Sequence, residues 1–397
     1  MGARKAATIG MAMLCAAGFA TAGFAKAGFA APLVPLPPQP ADVPWPTQAW
    51  PEGPLPPSVQ AAALDELLRV TDGARPGLGE TRAVVIIARG RLVAERYMAG
   101  YTKDTPLLSW SMAKSITHAL LGIAVRDGKV NVDQPMGNPR WAAGDARNAI
   151  PWRQWSNMID GQDYHEIGVT DQSRNDAARM LYGPGRLDVA AFGAGLPLVH
   201  PPGTHWNYNS AGVNLINDAL GRVFAPNADA RERRIRVRDV LVRELFAPLG
   251  MTTATPEFDA AGTFVGGSFV YASARDYARF GLLYLRDGMW QGRRLLPAGW
   301  VDFARTKTPV DDCDVYGAGF WVTPASGRGK PYTALAPDGP RDLFNAQGHE
   351  GQLIVIVPSK DLIVVRLGHL EDVRGWHQLG EWVERVVALF PDAPRAE

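Results

Sequence analysis

The chain has 397 residues, 46% of them hydrophobic, and its 41 basic and 40 acidic side chains leave a formal charge of +1. That length and apolar content supply a core for one large domain or two intertwined subdomains. No basic run is long enough to form a nucleic-acid groove, and the locally basic stretch Arg231–Arg238 reads as a solvated helix face, so no nucleic-acid partner is expected.

At the start, Arg4 and Lys5 precede an apolar, small-residue stretch from Ala6 to Ala22. Ala20-Thr21-Ala22 and Phe29-Ala30-Ala31 both offer cleavage sites, the pattern of a signal peptide over residues 1–30. Gly and Ala dilute the stretch, and its strongest apolar run is shorter than a bilayer span, so no stable membrane insertion is expected after cleavage. Leu14, ahead of Cys15, is not the small residue that lipoprotein processing requires. Cleavage beyond Cys15 leaves Cys313 as the one mature cysteine, which rules out an intrachain disulfide and a cysteine-cluster metal site. The expected location is periplasmic or secreted.

Residues 31–57 carry proline at high density, which favours extended chain and removes backbone donors. They read as a surface arm whose Trp45 and Trp50 can dock on the body. A helix is expected from Ser58 to Thr71. Two β-rich runs, Ala83–Ala88 and Leu92–Tyr97, then flank Arg89-Gly90 as a hairpin.

The stretch Ser109–Gly128 holds the strongest chemical signal. Ser111 is followed three places on by Lys114, a helical step that puts both side chains on one face. A serine hydroxyl is a weak nucleophile until a base takes its proton, and lysine is such a base where burial disfavours its charge. Met112, Ala113, Ile116, Ala119, Leu120, Leu121, Ile123 and Ala124 supply that burial. Ser-x-x-Lys also arises by chance, with the lysine stem lying along apolar surface. However, none of the other ten serines has a lysine three places on.

Between Trp141 and Gly195 short helical patterns such as Asp176–Leu181 alternate with Gly and Pro breaks, and strands are few. A rigid loop, His200–Ser210, precedes a helix over Ala211–Val223 and carries Tyr208, which is either a catalytic phenol or a buried tyrosine with a satisfied hydroxyl. A further helix is expected over Tyr271–Arg286. The runs Gln352–Val357 and Leu362–Arg366 make a second hairpin, and Gly375–Phe390 a closing amphipathic helix. Just before that hairpin, Gly348-His349-Glu350-Gly351 brackets polar side chains with glycines that let backbone approach a ligand.

Taken in order, Ser111-x-x-Lys114, Tyr208-x-Ser210 and His349-x-Gly351 resemble the three-motif signature of the serine β-lactamase and penicillin-binding superfamily. The resemblance runs from about residue 80 onward and lies toward the class C-related branch. The loop PPGTHWNYNS and the run Gly348–Gly368 are most similar to the aminohexanoate-oligomer hydrolases and related esterases. It implies an α+β fold: an antiparallel sheet flanked by helices, built from 58–112 plus 262–397, with a mostly helical subdomain inserted at 113–261. It also implies Ser111 as acylated nucleophile, Lys114 as proton acceptor and Tyr208 as proton shuttle. The oxyanion would be held by the backbone N–H groups of Ser111 and Gln352, with His349, Gly351 and Ser210 lining the substrate site, and no metal or cofactor. Ser210 stands where many relatives carry Asn, and His349-Glu350-Gly351 replaces Lys-Thr-Gly. The function implied is a secreted serine hydrolase of an ester or small linear amide. A D,D-peptidase or β-lactamase is the first alternative and a non-catalytic cell-wall binder the second, the latter disfavoured because all the motif residues are present. Absence of Gly-x-Ser-x-Gly and His-Glu-x-x-His disfavours α/β-hydrolase and zinc-protease chemistry.

Overall fold

Three long apolar runs build the centre of the molecule, whose computed structural model describes residues 33–310, 312–323, 335–370 and 375–394. The signal-peptide assignment, residues 1–30, and the start of the arm lie outside the described residues. From Val34 onward the chain forms one unit.

The strands are β1 (Glu80–Ala88), β2 (Arg91–Tyr97), β3 (Leu107–Leu108), β4 (Thr255–Pro256), β5 (Val270–Ala272), β6 (Met289–Trp290), β7 (Arg293–Arg294), β8 (Trp321–Val322), β9 (Phe344–Gly348), β10 (Gln352–Val357) and β11 (Leu362–His369). The main sheet has the order β2-β1-β11-β10-β9-β8 with every neighbour antiparallel. Side chains alternate across a strand, so a run of consecutive apolar residues requires both sheet faces to be covered. Val84, Ile86, Leu353, Val355 and Val364 face α1 (Ala61–Leu68) and the C-terminal helix Gly375–Leu389. Val85, Ile87, Ile354, Ile356, Ile363 and Val365 face the opposite core.

That second core holds α2 (Ala113–Arg126), whose residues from Ala113 to Ala124 are all buried. Beyond it come α3 (Trp152–Ser156), α4 (Asp176–Leu181), α5 (Val189–Ala194), α6 (Ser210–Phe224), α7 (Ala230–Leu241) and α8 (Ala247–Leu249). The chain then returns through α9 (Ala274–Leu285) and α10 (Trp300–Arg305) to the last strands, and α11 is the C-terminal helix. Among the described residues no helix is long and apolar enough to cross a membrane.

The expected hairpins are present, the first turning through Arg89 and Gly90 at φ 50° and 73°. Two expectations shift. The helix read from Tyr271 begins at Ala274, because Ser273 caps it and Val270–Ala272 pairs with β3 and β4 as a strand. Strand β9, Phe-Asn-Ala-Gln-Gly, was not expected as a strand: Asn, Gln and Gly carry little β-propensity, and its pairing with β10 and β8 decides it.

The arm is docked along its length. Proline-rich chain offers acceptors but few donors, and the body supplies the donors. Arg305 Nη1 reaches the Val34 carbonyl at 2.7 Å, Arg286 Nη1 that of Pro37 at 3.2 Å, and Arg279 Nε that of Pro46 at 2.8 Å. Trp45 packs on Trp290 with centroids 4.9 Å apart, and Trp50 is buried in the main core with Nε1 donating to the Arg275 carbonyl at 3.2 Å. Glu52 then bridges Leu92 in parallel, covering part of the exposed edge of β2. Trp50→Ala should therefore behave as a core truncation, costing about 3 kcal/mol. In a unit this long that is a fall in Tm of roughly 4 °C, read by thermal unfolding; an unchanged Tm would show the arm to be energetically detached.

Candidate active site

The nucleophile turn is fixed before the helix starts. Ser109 N–H donates to the Val270 carbonyl at 2.8 Å, and its hydroxyl accepts from Val270 N–H at 3.1 Å and donates to the Trp110 carbonyl at 2.9 Å. Trp110 follows at φ +46°, left-handed backbone that a bulky residue adopts only when its surroundings enforce it, at a cost of about 1–3 kcal/mol. A short 3-10 turn, Trp110–Met112, then leads into α2.

This turn carries Ser111, and Lys114 stands in the first turn of α2. Lys114 Nζ lies 3.0 Å from Ser111 Oγ and donates to the Gly267 carbonyl at 2.6 Å. It is only 2% exposed and has no ion-pair partner among the described residues. Burial pulls its pKa down to about 8, against a smaller upward pull from the negative charge of Glu166. A neutral amine beside a serine hydroxyl is a general base in place.

Tyr208 closes the third side. Lys114 Nζ sits 4.8 Å from its ring centroid, and the ring stacks on Trp321 and meets Tyr316 edge-on. Burial first, then the charge of Glu166, raises its phenol well above 10, with Ser111 hydrogen bonding as the opposing influence. The phenol thus stays protonated near neutral pH, while Lys114 is the group of the pair whose charge burial disfavours.

Ser210 opens α6 behind the cap of Asn209, whose side chain accepts from Gly212 N–H at 2.8 Å. Its hydroxyl donates to Glu166 Oε2 at 2.6 Å, and Tyr164 donates to the same oxygen at 2.8 Å. Glu166, on an irregular loop, gave no sequence signal.

The third expected motif is arranged differently from its sequence reading. His349-Glu350-Gly351 is the turn joining β9 to β10, with Glu350 at φ +63° and Gly351 at φ +82°. His349 is exposed, its ring edge-on to Trp110 at 5.2 Å. Gly351 and Gln352 bond to groups on β11. The Gly351 carbonyl accepts from Arg366 Nη1 at 2.9 Å, and the Gln352 side chain brackets the backbone of Gly368 with bonds of 2.6 and 3.0 Å. The strand beside Ser111 is β9, where Gly348 comes so close that an added Cβ would lie 2.1 Å from the Ser109 carbonyl oxygen. The signal for this was the glycine itself, since only it fits such an approach.

Buried Arg366 fixes the turn from behind. Its guanidinium donates to the carbonyls of Glu350, Gly351, Leu78 and Glu80 and to Thr81 Oγ1, with distances of 2.9 to 3.2 Å. Burial lowers its pKa to about 9. No cluster of three or more potential metal ligands occurs among the described residues.

With this geometry, comparison with known proteins is informative. The Beta-lactamase family model matches residues 62–374. The chain belongs to the beta-lactamase family. It is 24% identical over 338 residues to a 6-aminohexanoate-dimer hydrolase of Paenarthrobacter ureafaciens, covering 79% of each chain. A provisionally named 6-aminohexanoate-dimer hydrolase from Bacillus anthracis has the same fold with a TM-score of 0.65 at 17% identity, covering 90% of this chain and 91% of that one. A family VIII carboxylesterase superposes with a TM-score of 0.59 at 14% identity, over 84% of this chain and 99% of that one. The α+β fold is thus that of the β-lactamase and transpeptidase superfamily, and this family member is a serine hydrolase.

Two outcomes follow for this β-lactamase-fold site. Because the base must be neutral, log kcat/KM for a neutral ester should fall with unit slope below a pH of about 8 and level off above it. A pH–rate profile checks this, and a flat profile from pH 6 to 9 would remove Lys114 from the role. Gly348→Ala forces β9 away from the nucleophile turn, a displacement on the order of 1 Å, and should lower kcat/KM about 100-fold while the protein stays folded. Steady-state kinetics and circular dichroism read the two parts.

Proposed function

We propose that the protein is a secreted hydrolase of esters or small linear amides that works through an acyl-serine intermediate. The observation that carries this reading is the buried Lys114 amine 3.0 Å from Ser111 Oγ, with a pKa of about 8. Neutral Lys114 takes the Ser111 proton as Oγ bonds to the substrate carbonyl carbon. The tetrahedral oxyanion is held by the Ser111 N–H and a second amide from the turn after β9. The sequence reading assigned that second donor to Gln352; the close approach of Gly348 favours the His349 N–H. The proton held on Lys114 then passes through the Tyr208 phenol to the leaving oxygen or nitrogen as the C–O or C–N bond breaks. Water releases the acid by the reverse route.

Substrate class follows from charge. Beside the nucleophile turn, β9 presents Ala346 and Gln347 instead of a lysine, and the turn after it carries Glu350. Among the described residues of β9 and that turn, no lysine or arginine stands ready for a substrate carboxylate. A charge-assisted hydrogen bond is worth about 1.5–3 kcal/mol, so its loss costs anionic substrates one to two orders of magnitude. The names of the P. ureafaciens hydrolase and the carboxylesterase agree with linear amides and esters. The leader-like residues 1–30 support export to the periplasm or beyond.

A fluorophosphonate probe should label Ser111, and Ser111→Ala should abolish both labelling and turnover. On the parent protein, short-chain neutral nitrophenyl esters should show kcat/KM at least about tenfold above a chromogenic cephalosporin. Labelling at Ser115 or Ser210 would overturn the nucleophile, and a cephalosporin preference would return the chain to the β-lactamase reading.

A further inference from the structure

Glu166 has no part in the acyl-transfer steps above, yet its charge acts on two of the groups that carry them, Lys114 and Tyr208. Its Oε2 is saturated by two hydroxyls, Ser210 at 2.6 Å and Tyr164 at 2.8 Å. Both donors are almost fully buried, Ser210 at 1% exposure and Tyr164 at 3%, so the carboxylate is held by rigid partners. Among the described residues its Oε1 has no hydrogen-bond partner, and Glu166 makes no ion pair with any described cation. The residue itself is half-buried, so this second oxygen belongs to a fixed, partly desolvated anion.

Among the described residues the surrounding charges leave that anion uncompensated. Lys114 is the cation it influences, and Lys114 is occupied by Ser111 and Gly267. Arg366 spends its guanidinium on the oxygens behind the β9–β10 turn. Glu350 adds a second carboxylate on the other flank, within reach of Trp110 Nε1 at 3.4 Å and His369 Nδ1 at 3.2 Å. Next to Ser111, Trp110, Phe269 and Tyr182 form a chain of rings with centroids 5.8 and 6.3 Å apart, and Tyr182 is 62% exposed. Aromatic faces and a carboxylate both favour a cation over an anion.

We propose that Glu166 is a substrate-recognition residue whose open Oε1 receives a cationic group, a protonated or quaternary amine, on the ester or amide that Ser111 attacks. This rests on the hydrolase reading given above. The bound cation completes the coordination that the protein leaves open, while the Ser210 and Tyr164 hydroxyls keep the carboxylate aimed. Ser210 then serves as a positioning residue for Glu166.

The test uses ester pairs that match in shape and differ in charge. One pair is the nitrophenyl ester of trimethylammoniobutanoate and its all-carbon isostere, in which tert-butyl replaces trimethylammonium. The other places the same exchange on the alcohol side, choline butyrate against its tert-butyl isostere. For at least one pair the parent enzyme should favour the cation about tenfold in kcat/KM. The ratio should fall to about one in Glu166→Gln, which keeps the shape and loses the charge, and should be partly restored in Glu166→Asp. Because each ratio is taken within one variant, any general loss of activity cancels. Ratios at or below one in the parent for both pairs, or a cation preference surviving in Glu166→Gln, would overturn the assignment. Calorimetric binding of the same esters to Ser111→Ala, with and without Glu166→Gln, reads the preference without turnover. If the parent hydrolyses none of the esters, the hydrolase reading fails, while the binding ratio still decides for or against Glu166.

Discussion

The site depends on one amine being kept out of water. Lys114 sits on a helix buried on nearly all sides and is held by one hydroxyl and one carbonyl, neither of them charged. With no carboxylate among the described residues in contact to stabilise the ammonium, desolvation dominates and pulls the amine pKa down to about 8. The neighbouring parts serve that condition. The loop that provides the Gly267 carbonyl is tied to α6 by Asn214, which accepts from Gly267 N–H at 3.1 Å, and to α2 by Thr117, which donates to the Gly266 carbonyl at 3.0 Å. The aromatic group of Trp206, Tyr208, Tyr316 and Trp321 closes the phenol side.

A second constraint is the accounting of backbone polar groups. The proline arm is rich in acceptors, and arginines of the body meet them; the β9–β10 turn exposes carbonyls inward, and Arg366 meets those. In both places a long cationic side chain satisfies irregular backbone that no ladder satisfies. The consequence for function is rigidity. The turn beside Ser111 is held from behind by two of the five Arg366 bonds, those to the Glu350 and Gly351 carbonyls, and in front by the close approach of Gly348 to Ser109. The strained Trp110 is the local expression of that fit.

Much of this was legible in the sequence, and for identifiable reasons. The apolar runs of β1, β10 and β11 could only be strands covered on both faces, and the helix after Ser111 could only be buried, because apolar residues fall on all its sides even with Lys114, Ser115, Thr117 and His118 among them. The pairing of Ser111 with Lys114 is a local, helical relation, so spacing alone predicted that they would meet. Strand β9, Glu166 and the Gly267 loop depend instead on contacts between segments far apart in the chain, 44 residues between Glu166 and Ser210 and 153 between Lys114 and Gly267. The third motif was read three residues late, since His349-Glu350-Gly351 resembles a strand start in letters while the strand that touches the nucleophile is the polar run before it.

The sequence by itself determined the sheet's inner strands, the buried nucleophile helix and the Ser-Lys pair, because those follow from periodicity and from steps of three residues. The tertiary structure alone decided which strand lies beside Ser111, which carbonyl holds Lys114 and which hydroxyls hold Glu166. Those are questions of which distant backbone and side-chain groups satisfy one another once water is excluded, and a one-dimensional pattern does not encode that pairing.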